Sequence, residues 1–163
     1  MTYKTSLDNL AKVITIGAAI LFVIIIIRQC SIIKDSIQII PVCTIVFLLL
    51  IYFIAFAFRP ISYDLVADKL IIHRLFTDVK IDRNIIKSVE LLDRDKIGYV
   101  IRTFGVGGLF GYYGKFASKK LGGMTWYATR NDKTVLVLTV DDKKIILTPD
   151  DPEKFVADFK SAT

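Results

Sequence analysis

Two long runs without charge near the N-terminus constrain this chain more than any other feature. Residues 13–27 contain no charged side chain, and neither do residues 36–58. A helix rises about 1.5 Å per residue, so the second run would measure roughly 34 Å, enough to cross a hydrocarbon core about 30 Å thick. The first run would measure only about 22 Å. A helix over residues 10–30 is long enough if Lys12 and Arg28 extend their charged ends to the two interfaces.

We interpret the two runs as a retained helical hairpin rather than a cleaved signal peptide or a soluble core helix. Lysines precede the first run, as in a signal peptide, but no small-x-small cleavage site follows it and the second run comes soon after. A segment that is apolar all round, such as residues 44–51, does not suit a helix with one face in water. The mean hydropathy of +0.52 is also too high for one ordinary soluble domain. We therefore expect a transmembrane hairpin within residues 1–59, with spans at about residues 10–30 and 37–58.

Basic residues near the ends of the spans indicate an orientation. Lys4, Lys12 and Arg59 lie on one side of the predicted hairpin, and Arg28 and Lys34 lie in the connector on the other side. Loops on the cytoplasmic side carry the excess of lysine and arginine. This small difference favours a cytoplasmic location for both termini and for the soluble domain.

The composition of the chain changes at Pro60, where the apolar run stops. Residues 60–163 have the size of a normal single domain. Short β-rich runs follow one another here, separated by turns rich in Asp, Asn and Lys. Predicted strands occupy residues 61–66, 69–76, 78–82, 88–92, 125–129, 134–140 and 144–147.

The end of the chain carries a helix start signal. Asp151 is a good N-cap and Pro152 suits the first helical position. Phe155, Val156 and Phe159 then share one face, which we expect to pack on a sheet. Six or seven strands followed by one helix predict an α+β domain: an antiparallel β-sandwich or partly open barrel with a C-terminal capping helix.

Residues 104–116 interleave five of the nine glycines with phenylalanine and tyrosine. Glycine permits positive φ and close backbone approach, whereas the aromatic side chains need a core, a partner or a lipid interface. Nucleotide-binding motifs fail here, because Phe110 stands where a dinucleotide fingerprint needs its third glycine and Phe116 stands where a P-loop needs Ser or Thr. Two interpretations stay open: a glycine-bulged hairpin whose aromatic side chains pack inward, or an exposed recognition loop.

Several segments of residues 60–163 carry a resemblance to a known family. They are residues 81–90, which include Ile-Lys-Ser-Val-Glu at 86–90, residues 104–116, residues 127–129, and residues 148–152 ahead of Phe155. Together with the strand order, they resemble the bacterial pleckstrin-homology (PH) domain proteins that carry an N-terminal transmembrane hairpin. The resemblance implies a non-enzymatic module, anchored at the inner face of the bacterial plasma membrane, that binds protein partners or assembles into homo-oligomers.

The resemblance does not extend to phosphoinositide binding. Eukaryotic relatives use several basic residues in a long loop between their first two strands. Here that connection is residues 66–69, which is short and contains an acidic residue. Specific phosphoinositide binding is therefore not expected.

No pattern in the chain indicates an enzyme, a metal site or a cofactor site. His73 is the one histidine and lies in a predicted strand, where a structural role is much commoner than a catalytic one. Cys30 and Cys43 lie in or beside the predicted spans and offer neither a disulfide framework nor a zinc-type spacing. Pairs of aspartates fall at a turn and at a helix cap, which are ordinary places for this residue.

A group of lysines after the glycine-rich stretch adds a second functional hypothesis. Lysines beside exposed aromatic side chains suit an anionic lipid surface, at about 1 kcal/mol for each well-placed lysine. Nucleic-acid binding is not indicated, because residues 60–163 hold 17 Lys and Arg against 14 Asp and Glu. The candidate surface for a protein partner or for lipid headgroups consists of three aromatic residues and three lysines: Phe110, Tyr112, Tyr113, Lys115, Lys119 and Lys120.

Overall fold

The computed structural model describes residues 1–35 and 39–161 and begins with a short strand and two long helices. Helix α1 covers Asn9–Asp35 and helix α2 covers Ile39–Phe58. They pack side by side, with the rings of Phe22 and Tyr52 6.0 Å apart. Both are long and apolar enough to cross a membrane. Large side chains such as Val13 and Phe47 are 68% and 61% exposed, which water would penalise and lipid would not.

Helix α1 is longer than the sequence predicts. The predicted connector begins at Arg28, but the helix continues to Asp35, because residues 28–35 contain no glycine or proline that would end it. Residues 37 and 38, where the second span is predicted to start, lie outside the described residues.

Two β-sheets and two further helices follow from the rest of the chain. The first sheet has the order β1-β2-β3-β4 and is antiparallel throughout. Its strands are β1 (Thr2–Lys4), β2 (Ser62–Leu65), β3 (Lys69–His73) and β4 (Val79–Asp82). A 3₁₀ turn, Arg83–Ile85, leads to the second sheet.

The second sheet is larger and contains one parallel pair. It comprises β5 (Ile86–Leu92), β6 (Val100–Gly107), β7 (Tyr112–Ser118), β8 (Gly122–Ala128), β9 (Thr134–Thr139) and β10 (Lys144–Leu147). Its order is β5-β9-β10-β8-β7-β6, and β8 and β10 are parallel. Helix α3 (Arg94–Ile97) precedes β6, and helix α4 (Pro152–Ser161) ends the domain.

The core lies between the sheets and α4. Strands β2 and β3 alternate half-buried and buried residues, so that Tyr63, Leu70 and Ile72 point into the core. Phe155 of α4 is fully buried against them, as its helical face predicts. The hydroxyl of Tyr63 donates to the carbonyl of Tyr127 at 2.6 Å and accepts from the N–H of Thr148 at 3.2 Å, which ties the two sheets together.

The predicted fold class is confirmed, with corrections to individual elements. The sequence places residues 1–59 in the helical hairpin, but Thr2–Lys4 form β1 and pair with β2. The strand predicted over residues 69–76 ends at His73, and the strand predicted from Ser88 begins at Ile86. The described residues contain ten strands rather than six or seven, because the glycine-rich stretch itself supplies β6 and β7 and the N-terminus supplies β1.

Candidate interaction surface

Strands β6 and β7 and the turn at residues 108–111 form a β-hairpin, here called the glycine hairpin. Gly105 and Gly114 face each other across the two strands, both with positive φ. A Cβ on either glycine would collide with the backbone of the opposite strand, so the close approach requires glycine. The N–H of Gly108 donates to the carbonyl of Gly111 at 2.8 Å and closes the turn.

The turn at residues 108–111, here called the hairpin tip, packs against both long helices. The ring of Phe110 lies 4.8 Å from the ring of Tyr52 and 5.4 Å from that of Phe56, edge to face. The N–H of Phe110 donates to Thr15 Oγ1 of α1 at 2.9 Å. Phe110 has a φ of 57°, which is unfavourable for a residue with a side chain. The aromatic packing and the hydrogen bond offset that strain.

Polar contacts reinforce the docking of the glycine hairpin. The hydroxyl of Tyr113 donates to the carbonyl of Ala55 in α2, and burial raises the pKa of Tyr113. The guanidinium of Arg59 lies 4.5 Å from the centre of the Phe56 ring, within cation–π distance. Arg59, the first charged residue after α2, is therefore held over the aromatic cluster.

Asp8 joins the start of α1 to the β domain, a role that the sequence analysis missed. Its Oδ1 accepts from the N–H of Ala11 at 2.6 Å and caps the helix. Its Oδ2 accepts from the hydroxyl of Tyr112 at 3.2 Å and from the N–H of Asn131 at 3.1 Å. An aspartate just before an apolar helical run is a recognisable N-cap signal, but the two long-range partners are visible only in the folded chain.

The structure corrects the aromatic half of the candidate surface. Phe110, Tyr112 and Tyr113 are buried, at 7%, 9% and 7% exposure. The hairpin tip packs on the helices, and Tyr112 belongs to a buried cluster with Phe116 and Trp126. In this structure these three side chains are not accessible to a partner protein or to lipid headgroups. Of the two interpretations left open for this stretch, the glycine-bulged hairpin is the one that the structure shows. Four of its aromatic side chains are buried, whereas Phe104 is exposed.

The three lysines of the candidate surface are exposed but do not form one cluster with the hairpin tip. Lys115 Nζ donates to Thr125 Oγ1 at 2.8 Å in the middle of the sheet. Lys119 and Lys120 lie past the far end of β7, where Lys120 Nζ donates to the carbonyl of Asp95 at 2.7 Å. Strand β7 is about 20 Å long, at roughly 3.3 Å per residue, and its other end leads into the hairpin tip.

Strand β6 is an edge strand with exposed apolar side chains. It pairs with β7 on one side, and no strand within residues 1–35 and 39–161 pairs with its other side, here called the β6 edge. Ile101 is 58% exposed and Phe104 is 77% exposed, and Tyr99 just before the strand is 84% exposed. Proteins usually protect long edge strands with charges or short lengths. This eight-residue strand has one charged residue, Arg102.

A cavity of about 310 Å³ lies on the inner side of β6. Its lining includes four aromatic residues, Tyr99, Tyr112, Phe116 and Trp126, with Arg102 and Asn131 as polar members. A cavity of this size and lining can take an apolar side chain. It lies beside the β6 edge, so both features concern the same region of the molecule.

His73 has a structural environment. Its Nε2 lies 2.9 Å from Asp64 Oδ2 and its Nδ1 lies 3.1 Å from Asp78 Oδ1. The hydrogen bond to Asp64 raises the pKa of His73, burial opposes this, and the charge of Asp78 adds to the increase. Burial alone would raise the pKa of Asp64, but hydrogen bonds from Thr2 and His73 outweigh it and lower the pKa. Within the described part of the chain, no group of three or more His, Cys, Asp or Glu residues is arranged to hold a metal ion.

Two long apolar helices, a domain of two β-sheets and a closing C-terminal helix together define an α+β protein with a PH-like fold. A family model described as bacterial PH domain matches residues 61–163. The chain therefore belongs to the bacterial PH-domain family, and its β domain is of a type that serves as a binding or interaction module. Comparisons with curated proteins and with solved structures give no match.

Proposed function

We propose that this protein is a non-enzymatic interaction module, anchored in the bacterial plasma membrane by α1 and α2, that binds an extended segment of a partner protein along the β6 edge. The observation that carries the proposal is the free edge of β6 together with its exposed Ile101 and Phe104. An edge strand offers a row of backbone donors and acceptors to an added strand, and side-chain pockets supply the specificity.

The surroundings of the β6 edge favour an acidic and apolar partner segment. Lys115 on β7 lies opposite Phe104 of β6. It lines a depression that extends from Thr103 on β6 across β7 and β8 to Lys143 and Lys144 near the start of β10. Lys143 is paired with Asp141 at 3.4 Å, whereas the hydrogen bond of Lys115 goes to a neutral hydroxyl. Acidic residues next to apolar ones in the partner would complement this surface.

The direction of β6 favours a different protein over a second copy. The strand runs from Val100 towards the hairpin tip, which contacts the helices. Two copies in the same membrane would both direct β6 towards that membrane, so their edges would meet only as a parallel pair. Antiparallel pairs are the commoner arrangement between strands, and a segment of another protein can approach in either direction.

A cytoplasmic β domain is part of the proposal. Lys4, Lys12 and Arg59 lie at the end of the helical hairpin that meets the β domain, and Arg28 and Lys34 lie at the opposite end. The excess of positive charge near the β domain supports an inner location. The alternative function, headgroup binding by the lysines, receives less support because Lys119 and Lys120 lie at the opposite end of β7 from the hairpin tip.

Photo-cross-linking in cells tests the proposal. Benzoylphenylalanine would replace Phe104 or Ile101 in the full chain, and Val140, which is 63% exposed in the β9–β10 turn, would serve as the matched control. We expect both edge positions to cross-link to one and the same protein, through an extended segment with apolar and acidic residues. The cross-link from position 104 should disappear when Ile101 is replaced by aspartate, and the cross-link from position 101 should disappear when Phe104 is replaced by aspartate.

Three outcomes would contradict the proposal as stated. If the cross-linked products contain only peptides of this chain, the partner is a second copy of this chain and not a different protein. Equal yields at Phe104, Ile101 and Val140, or no product at the two edge positions, would exclude the β6 edge as a binding surface.

A further inference from the structure

The loop between β3 and β4, residues 74–78, carries two exposed apolar side chains beside α2. Leu75 is 45% exposed and Phe76 is 66% exposed. The N–H of Leu75 donates to the carbonyl of Ala57 at 3.3 Å, which places the loop against the last turn of the helix. Exposed neighbouring apolar residues at a loop tip are unfavourable in water and indicate a surface that is covered.

The position of Phe76 along α2 indicates what covers it. Its ring lies 5.8 Å from the ring of Phe53, edge to face. Phe53 precedes the end of α2 at Phe58 by five residues, or about 8 Å along the helix axis. Phe53 and its neighbour Ile54 are themselves 49% and 47% exposed. Phe76 is thus continuous with the apolar surface of a helix that is suited to lipid.

The polar groups of the loop lie at its base and not at its tip. The guanidinium of Arg74 lies 5.4 Å from the centre of the Phe58 ring, and its Nε and Nη2 donate to the carbonyl and the hydroxyl of Thr77 at 2.8 and 3.0 Å. Asp78 pairs with His73. Charges at the base and an aromatic ring at the tip form the arrangement expected at a membrane interface.

We propose that Leu75 and Phe76 insert into the lipid bilayer beside α2 as a membrane contact separate from the two spans. This inference rests on the proposed insertion of α1 and α2 in the membrane. The β3–β4 loop and the hairpin tip would then hold the β domain close against the bilayer surface, because two separate loops contact the helical hairpin. The domain would keep one orientation relative to the membrane, with β6 always presented in the same way.

Fluorescence quenching by brominated lipids tests the insertion. Phe76→Trp would be made in a Trp126→Phe background, which removes the only native tryptophan, and the full chain would be reconstituted in vesicles with acyl chains brominated near the glycerol end. Tyr99→Trp, at an 84% exposed site before β6, is the control outside the bilayer. Phe47→Trp, in the middle of α2, is the control inside it, read with chains brominated near their middle.

We expect lipid bromine to remove most of the fluorescence of Phe76→Trp and of Phe47→Trp and little of that of Tyr99→Trp. If Phe47→Trp is quenched and Phe76→Trp is not, the loop insertion is wrong and the membrane anchoring stands. If Phe47→Trp is not quenched either, the proposed anchoring itself fails. Quenching of Phe76→Trp to the same small extent as Tyr99→Trp would mean that something other than lipid covers the loop.

A second measurement avoids the change in the core at Trp126. Cys30 and Cys43 would be replaced by alanine, and a nitroxide would be attached at Phe76→Cys. Its accessibility to oxygen, which concentrates in lipid, and to a water-soluble nickel complex would be compared with the same label at Tyr99→Cys. Higher accessibility to oxygen at residue 76 supports insertion, and higher accessibility to nickel contradicts it.

Discussion

At the scale of single residues, backbone conformation decides which side chains this protein tolerates. Gly105 and Gly114 bring β6 and β7 so close that neither position has room for a Cβ. Phe110 adopts a left-handed conformation despite its side chain, and its ring and N–H are both used against the helices. Glycines in the sequence indicated a bulged hairpin, but which glycines are indispensable depends on the cross-strand register.

Gly114→Ala should destabilise the protein by roughly 1–3 kcal/mol, because the new Cβ would meet the carbonyl of Phe104 while φ stays at 122°. Gly123→Ala is the matched control, since a Cβ there meets no atom within 4 Å and its φ is ordinary. Thermal unfolding of both variants in the same detergent measures the difference. An equal unfolding temperature for the two variants would contradict the register described for β6 and β7.

The pair of ionic contacts around His73 predicts a pH dependence with a definite sign. The folded pKa of His73 is raised above 6.5 by Asp64 and Asp78. The stabilisation of the folded protein by protonated His73 is therefore fully present below about pH 6.5, and it is lost as the pH rises through the folded pKa. The unfolding temperature of the wild type should exceed that of His73→Gln most clearly at about pH 6, with the difference shrinking at higher pH. A difference that does not change with pH would exclude this coupling.

At the scale of elements, the glycine hairpin and the helical hairpin depend on each other. The hairpin tip contacts α1 through Thr15 and α2 through Tyr52 and Phe56. Asp8 joins the start of α1 to Tyr112 and Asn131. The elements that the sequence separates into a membrane part and a soluble part therefore form a common interface.

Thr15→Val should loosen the hairpin tip, because it leaves the buried N–H of Phe110 without its acceptor, at a cost of about 1–3 kcal/mol. Thr44→Val is the control, since Thr44 Oγ1 donates only to the carbonyl of Ile40 in its own helix, at 3.0 Å. Hydrogen exchange of residues 108–111 should become roughly tenfold faster or more in Thr15→Val and stay unchanged in Thr44→Val. Unchanged protection in both would mean that the tip is held without this bond.

At the scale of the whole molecule, the N-terminus belongs to the β domain as well as to the membrane part. Thr2–Lys4 extend the first sheet as β1. The ring of Tyr3 lies 5.0 Å from that of Phe155 and its hydroxyl donates to Asp158 at 2.5 Å. The β domain is therefore completed by residues that precede the first span, and its family match over residues 61–163 covers only part of the folded unit.

A fragment that begins at Pro60 should be less stable than the β domain of the full chain, because it lacks β1, exposes the edge of β2 and leaves a gap beside Phe155. A second fragment, in which residues 1–8 are joined to Pro60 by a flexible linker, should recover stability. Denaturant unfolding of the two fragments makes the comparison. If the fragment without residues 1–8 is equally stable, β1 contributes nothing to the folded domain.

Sequence patterns of short range were enough for much of the fold. The absence of charge in residues 13–27 and 36–58 identified the two helices, and Asp151 and Pro152 identified the start of α4. Short β-rich runs between turns identified most strands of both sheets, because β-branched and aromatic residues suit a pleated, half-buried surface. The candidate surface was only partly predictable: the lysines are exposed as expected, whereas Phe110, Tyr112 and Tyr113 are buried.

The sequence by itself determined the class of each segment: two apolar helices, a run of strands and a capped C-terminal helix. Only the tertiary structure decided that Thr2–Lys4 join the first sheet, that Phe110 packs on Tyr52 and Phe56, and that the other side of β6 is unpaired. The physical reason is the distance along the chain over which each kind of interaction acts. Hydrophobic periodicity and capping act between residues a few positions apart, whereas burial at residues 3 and 110 depends on partners that folding brings together from distant parts of the chain.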